Sequence, residues 1–104
     1  MSKHKVIPYN ITSAAKEIGL HCAAWRKMHR MTQAEMAERC RVSRETISRL
    51  ENGDGSVSLN TFLEVVQKFG ILEKVQESVN PYTTQYGVLR ADLALGQRVK
   101  KSRS

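Results

Sequence analysis

The chain of 104 residues has little cysteine, little proline, few acidic groups and no long apolar run. Without a stretch near the roughly 20 apolar residues that a membrane-spanning helix needs, no membrane partner is expected. The two cysteines, Cys22 and Cys40, each lie among helix-forming residues. They read as buried small hydrophobes in a reducing compartment rather than as a disulfide. The histidines His4, His21 and His29 do not combine with them into a paired Cys-x-x-Cys or a His-x-x-x-His on one helix face. No metal and no cofactor are therefore expected. Nor does the chain contain a glycine-rich phosphate cradle, a nucleophile elbow or a base-and-nucleophile pair, so it reads as a non-enzyme with no catalytic residue.

The shortage of acid is the more informative deficit. Seventeen Lys and Arg stand against ten Asp and Glu, a formal net charge of +7. Such a balance favours polyanionic partners: nucleic acid, an anionic membrane or an acidic protein face. The start, MSKHKVIPYN, carries cations but no apolar stretch of signal-peptide length, which points to the cytoplasm.

The pattern of the chain predicts an all-α fold: an arm over 1–12, a compact five-helix domain over 13–80, and a less regular basic extension over 81–104, partly disordered or partner-binding. A first helix is expected from about Ser13 to His29, with Ile18, Cys22 and Trp25 recurring at helical spacing and Trp25 in the core. The second begins at Thr32, where T-x-x-E with Glu35 forms a capping box, and buries Met36, Ala37 and Cys40. Ser43 caps the third, RETISRLEN, and Gly53 follows it. Ser58 caps the fourth, LNTFLEVVQKF, whose stripe is Leu59, Phe62, Leu63, Val66 and Phe69. Gly70 stops that helix, and a short fifth, ILEKVQESV, ends at Asn80-Pro81. In the extension, TTQYGVLR tolerates a strand shared across a dimer. The tail cations Arg98, Lys100, Lys101 and Arg103 are open to three uses: solvation, phosphate or a partner protein.

The third helix carries the functional argument. At about 100° per residue, Arg44, Glu45, Ser48, Arg49 and Asn52 share an arc of roughly 140°, opposite Ile47 and Leu50. A slim helix with a narrow apolar edge and a dense row of hydrogen-bonding side chains is what major-groove readout needs. Arginine suits the paired acceptors of guanine, and glutamate can accept from the amino group of cytosine. Ala37 is small enough for close approach of another helix, while Val42 and Ile47 can fill the angle between the two. The plainer reading, an amphipathic pair with a solvated charged face, leaves that small-residue geometry unexplained.

TQAEMAERCRVSRETISRLENG resembles the Cro and lambda-repressor type of helix-turn-helix, the XRE family, through Thr32-Gln33, Ala37, Val42-Ser43, Ile47-Ser48 and the LENG of Leu50 to Gly53. The resemblance implies a dimer that sets two recognition helices on a pseudo-palindromic, double-stranded DNA operator, and nucleoid association when bound. By position, Arg44, Glu45 and Arg49 fall on base-reading sites. Gln33, Ser43 and Asn52 fall on phosphate-contacting ones, with Thr46 beside them. Arg26 and Glu51 occupy positions that often pair as an internal salt bridge in the family.

Arg41 stands where relatives often carry glycine. A left-handed residue there costs about 1 kcal/mol more as arginine than as glycine. Its side chain would emerge beside the recognition helix, either on phosphate or in solvent. More loosely, the length, the segment after the fifth helix and the basic ending resemble HipB-like antitoxins, which repress their own operon and bind a HipA-like serine/threonine kinase toxin. Two functions therefore compete: an antitoxin-type repressor, and a stand-alone regulator of the phage or restriction-control kind.

Overall fold

A computed structural model of the protein describes the backbone of residues 6–103 and the side chains of residues 6–95. The first five residues of the expected arm, His4 among them, and the side chains of Arg98, Lys100, Lys101 and Arg103 lie outside the described residues. The elements run α1 (Tyr9–Met28), α2 (Gln33–Cys40), α3 (Arg44–Glu51), α4 (Leu59–Lys68), α5 (Leu72–Ser78), a 3-10 turn (Pro81–Thr83) and α6 (Gln85–Arg103). The fold is all-α, with no strand among the described residues. It divides into two units, the first ending at Ile71 and the second beginning at Leu72. The fifth helix, grouped by sequence with the preceding four, thus falls in the second unit.

Local chemistry explains most boundaries in the first unit. Thr32 accepts from the Glu35 amide at 3.0 Å while the Glu35 carboxylate accepts from the Thr32 amide at 2.8 Å, closing the capping box of α2. Ser43 and Ser58 accept from the amides of Thr46 and Thr61, each at 3.1 Å, and so start α3 and α4. Gly53 and Gly70 take the left-handed conformation just past α3 and α4, with φ of 82° and 81°. Two arginines do the same at φ 58°, Arg30 after α1 and Arg41 after α2. The first helix departs from its expected start: it begins at Tyr9, not Ser13. Pro8 has no amide to leave unpaired, and its carbonyl already accepts from Ile11 and Thr12, both at 3.1 Å.

The core joins all four helices. Cys22 of α1, Met36, Ala37 and Cys40 of α2, Ile47 and Leu50 of α3, Val65 of α4 and Phe69 at its end form one buried cluster. Three expectations change. Leu59, at the start of α4, is 68 % exposed, and Val65 is buried in its stead. Trp25 is 36 % exposed rather than in the core, with one ring face stacked on Phe69 at 5.8 Å between centroids. Ile18 is likewise half-exposed. A periodic stripe identifies a helix face but not how far along it the neighbouring helices reach.

In the second unit, Asn80 accepts from the Tyr82 amide at 2.9 Å and opens the 3-10 turn. The Thr84 hydroxyl accepts from the Gly87 amide at 2.9 Å at the head of α6. Residues 85–90 are therefore helical, and TTQYGVLR forms no strand. Gly87 sits so close to the Pro81 carbonyl that a side chain there would collide with it. The extension is more regular than its composition suggested: Leu, Ala, Arg and Gln favour helix once the capped turn has nucleated it.

Gly19 fixes how α1 meets α3. It is buried, and a Cβ at this position would lie 2.5 Å from the Leu50 carbonyl oxygen and 2.7 Å from that of Glu51. The missing side chain is what lets the helix lie on the backbone at the end of α3. In a free helix Gly→Ala gains about 1 kcal/mol. Here Gly19→Ala is expected to lower the melting temperature instead, because forcing apart a packed contact costs about 1–3 kcal/mol. Thermal unfolding followed by circular dichroism checks the sign; a rise would contradict the close approach.

Candidate nucleic-acid interface

Helices α2 and α3 are joined by three residues, Arg41, Val42 and the cap Ser43, that reverse the chain sharply. Arg41 is left-handed at φ 58° and ψ 42°, its amide donating to the Glu38 carbonyl at 3.2 Å. The Val42 amide donates to the Ala37 carbonyl at 3.0 Å. Ala37 is buried at the inside of the angle, and Val42 packs on the core beside it. These contacts let α3 lie across α2 with Ile47 and Leu50 inward, Ile47 only 1 % exposed. Arg44, Glu45 and Asn52 are exposed, and Ser48 and Arg49 half-buried, along the other side.

The inner end of α3 is held by an ion pair. Arg26, on α1 and 9 % exposed, donates from Nε to Glu51 Oε2 at 2.7 Å and from Nη2 to Oε1 at 3.1 Å. Its Nη1 donates to the Met31 carbonyl at 2.7 Å. Three helices are tied here, because Gln33 at the start of α2 also donates to Glu51 Oε1, at 2.9 Å. The Gln33 oxygen then accepts from Arg44 Nη1 at 3.3 Å. A continuous chain thus runs from a buried arginine on α1 to an exposed one at the head of α3.

The remaining polar positions fall into two groups. Ser43 and Thr46 share a hydroxyl–hydroxyl hydrogen bond of 2.9 Å at the N-terminus of α3. Arg41, in the turn before α3, and Asn52, just after its last residue, are both exposed. Arg49 is engaged instead: Nε donates to Asp54 Oδ2 at 2.8 Å and Nη2 to Ser56 Oγ at 2.6 Å. The hydrogen bond from Arg49, then those from the Ser56 side chain and amide, hold the Asp54 carboxyl well below the usual carboxylate range. Sequence reasoning found the Arg26 and Glu51 positions but not Gln33 as their third member, nor the Arg49 partners. The D-x-S spacing of Asp54 and Ser56 was the available signal, since an Asp oxygen commonly accepts from the amide two residues on.

Neither cysteine belongs to this face. Burial, with a smaller contribution from Glu51, pushes the Cys22 thiol up to about 11, and burial raises Cys40 as well. Protonated thiols are poor metal ligands. Among the described residues no three His, Cys, Asp or Glu side chains gather closely enough to hold a metal ion, and no helix is long and apolar enough to cross a membrane.

A helix-turn-helix family model matches residues 23–73, a span that includes Arg26, the α2–α3 turn, Asp54 and all of α4. Over this span, just under half of the chain, the protein is similar to helix-turn-helix domains. The arrangement that this model describes is the one formed by α2, the three-residue turn and α3. Antitoxin PezA of Streptococcus pneumoniae serotype 4 (strain ATCC BAA-334 / TIGR4) is 41 % identical over 54 residues, covering 52 % of this chain and 34 % of that protein. The match therefore spans about a third of the relative's length. No solved structure matches.

The ion pair at the root of the helix-turn-helix yields a direct test. Breaking a buried pair by removing one partner strands the other charge and costs about 3–5 kcal/mol. Glu51→Gln is expected to fall at or below the low end of that range, because an amide still offers one acceptor to Arg26. Chemical denaturation measures the loss; unchanged stability would show that the pair does not hold α3.

Proposed function

We propose that the chain is a sequence-specific DNA-binding transcriptional repressor that reads the major groove with α3. The observation that carries this reading is the pairing of a buried Arg26–Glu51 anchor with an exposed row of polar side chains on the same short helix. Arg44, Glu45 and Arg49 read base edges, arginine on guanine and glutamate on cytosine. Gln33, Ser43, Thr46, Asn52 and Arg41 approach phosphates, which fix register without reading sequence. Gln33 has a reason to sit there: its amide is already oriented by Glu51 on one side and Arg44 on the other. The net charge of +7 supplies the salt-sensitive part of the affinity. A homodimer places two copies of α3 on a pseudo-palindromic operator.

Within that reading the repressor is the antitoxin of a toxin–antitoxin pair, with a HipA-like serine/threonine kinase as the toxin. Similarity to Antitoxin PezA supports the antitoxin role. The kinase identity rests on the looser likeness of length and C-terminal extension to HipB-like proteins. A stand-alone regulator of the phage or restriction-control kind needs DNA alone.

Selection from a pool of random duplexes tests the DNA reading. The bound pool should converge on a pseudo-palindromic site, and Arg44→Ala should cost about 1–3 kcal/mol of discrimination at one base pair of each half-site. Equal weakening on every sequence would make Arg44 a phosphate contact, and a pool that never converges would refute sequence reading. Purification from the native source separates the roles: a stoichiometric kinase supports the antitoxin, and a chain that arrives alone supports the stand-alone regulator.

A further inference from the structure

We propose that Asp54 and Ser56, in the loop after α3, are specificity-determining positioning residues that set the Arg49 guanidinium for a guanine. The inference rests on the DNA-reading function above and adds residues outside the recognition helix to it. A guanidinium has five N–H donors in a rigid plane, forming a side edge and an end edge. The side edge of Arg49 is spent within the protein. Its Nε–H goes to Asp54 Oδ2 at 2.8 Å, and one Nη2–H goes to Ser56 Oγ at 2.6 Å.

The acceptors are themselves fixed. Asp54 Oδ1 accepts from the Ser56 amide at 2.9 Å and from the Ser56 hydroxyl at 2.7 Å. With its proton committed to Asp54, the hydroxyl can only turn a lone pair toward Arg49. The loop is thus a closed ring of four hydrogen bonds in which each group has one available role. What is left of Arg49 is the end edge: both Nη1 hydrogens and the second on Nη2, with no partner for Nη1 among the described residues. One hydrogen from each nitrogen projects in parallel, the spacing that matches the O6 and N7 acceptors of guanine.

Arg44 is a useful contrast. Its single bond to Gln33 is 3.3 Å long, and the side chain is exposed. An arginine ordered before binding loses less freedom on docking than one that must be ordered by the DNA. Arg49 is therefore the pre-set reader of the pair. Neutralising Asp54 with Arg49 also removes the repulsion a lone carboxylate would exert on nearby phosphates.

The test uses the full chain and the duplex it selects from a random pool, with single base-pair variants of that duplex. In wild type one guanine should be required, and Arg49→Ala should abolish that requirement alone. Asp54→Ala and Ser56→Ala should each reduce discrimination at the same base pair, Asp54→Ala by about tenfold, and leave the other positions unchanged. In the Arg49→Ala background Asp54→Ala should change discrimination no further. Undiminished discrimination in both Asp54→Ala and Ser56→Ala overturns the proposal. So does a gain, which would mean that the loop withholds Arg49 from DNA. A base-pair requirement insensitive to Arg49→Ala overturns it while leaving the DNA-reading function standing. A wild-type chain that selects no sequence overturns both.

Discussion

The Arg26–Glu51 pair is the interaction on which the arrangement of the first unit depends. Both side chains are largely withdrawn from water, at 10 % and 8 % exposure. Neither charge can be left there alone, because the desolvation of an unpaired buried ion is far larger than any single packing gain. Arg26 meets the carboxylate through two nitrogens and spends a third on the Met31 carbonyl, in the turn between α1 and α2. One guanidinium thereby fixes the end of α3 against both α1 and the approach to α2. Gly19 makes the same junction sterically feasible by leaving the backbone of Leu50 and Glu51 room against α1.

With that end fixed, the rest of α3 follows from its short apolar edge. Ile47 and Leu50 bury one side against Met36, Ala37 and Cys40, so rotation about the helix axis is determined. The polar side then has to face outward. Its members differ in how far they are already ordered. Glu51 passes its hold through Gln33 to Arg44, a chain that weakens toward the surface as the bonds lengthen from 2.9 to 3.3 Å. Arg49 is held from the opposite direction by the loop that follows. Two arginines of α3 are thus supported by separate networks, one rooted in the core and the other in a surface turn.

Contacts close in sequence were legible in advance, and contacts distant in sequence mostly were not. The Thr32–Glu35 box, the Ser43 and Ser58 caps and the left-handed Gly53 each depend on residues within a few positions. Arg41 was readable for the same reason: its left-handed φ of 58° is a property of the turn itself. Gly19 was not legible, since its reason lies in the carbonyl of Leu50. Gln33 was expected, by family position, to contact phosphate, but its bond to Glu51 crosses eighteen residues. The exchange of Leu59 for Val65 in the core shows the limit of helical periodicity, which fixes a face and not the extent of its cover. Arg26 and Glu51 were singled out by family resemblance; nothing in the spacing alone would have paired them across 25 positions.

The central claim is that the outward edge of α3, with the start of α2 and the turn between them, is the surface that meets DNA. Backbone amide resonances of the full chain, followed while its selected duplex is added, test it most directly. The largest changes should fall at Gln33, from Arg41 to Glu45, and at Ser48 and Arg49, with small changes at buried Val65 and Val66. Changes concentrated on the outer side of α1 or on α6, with α3 undisturbed, would contradict the account.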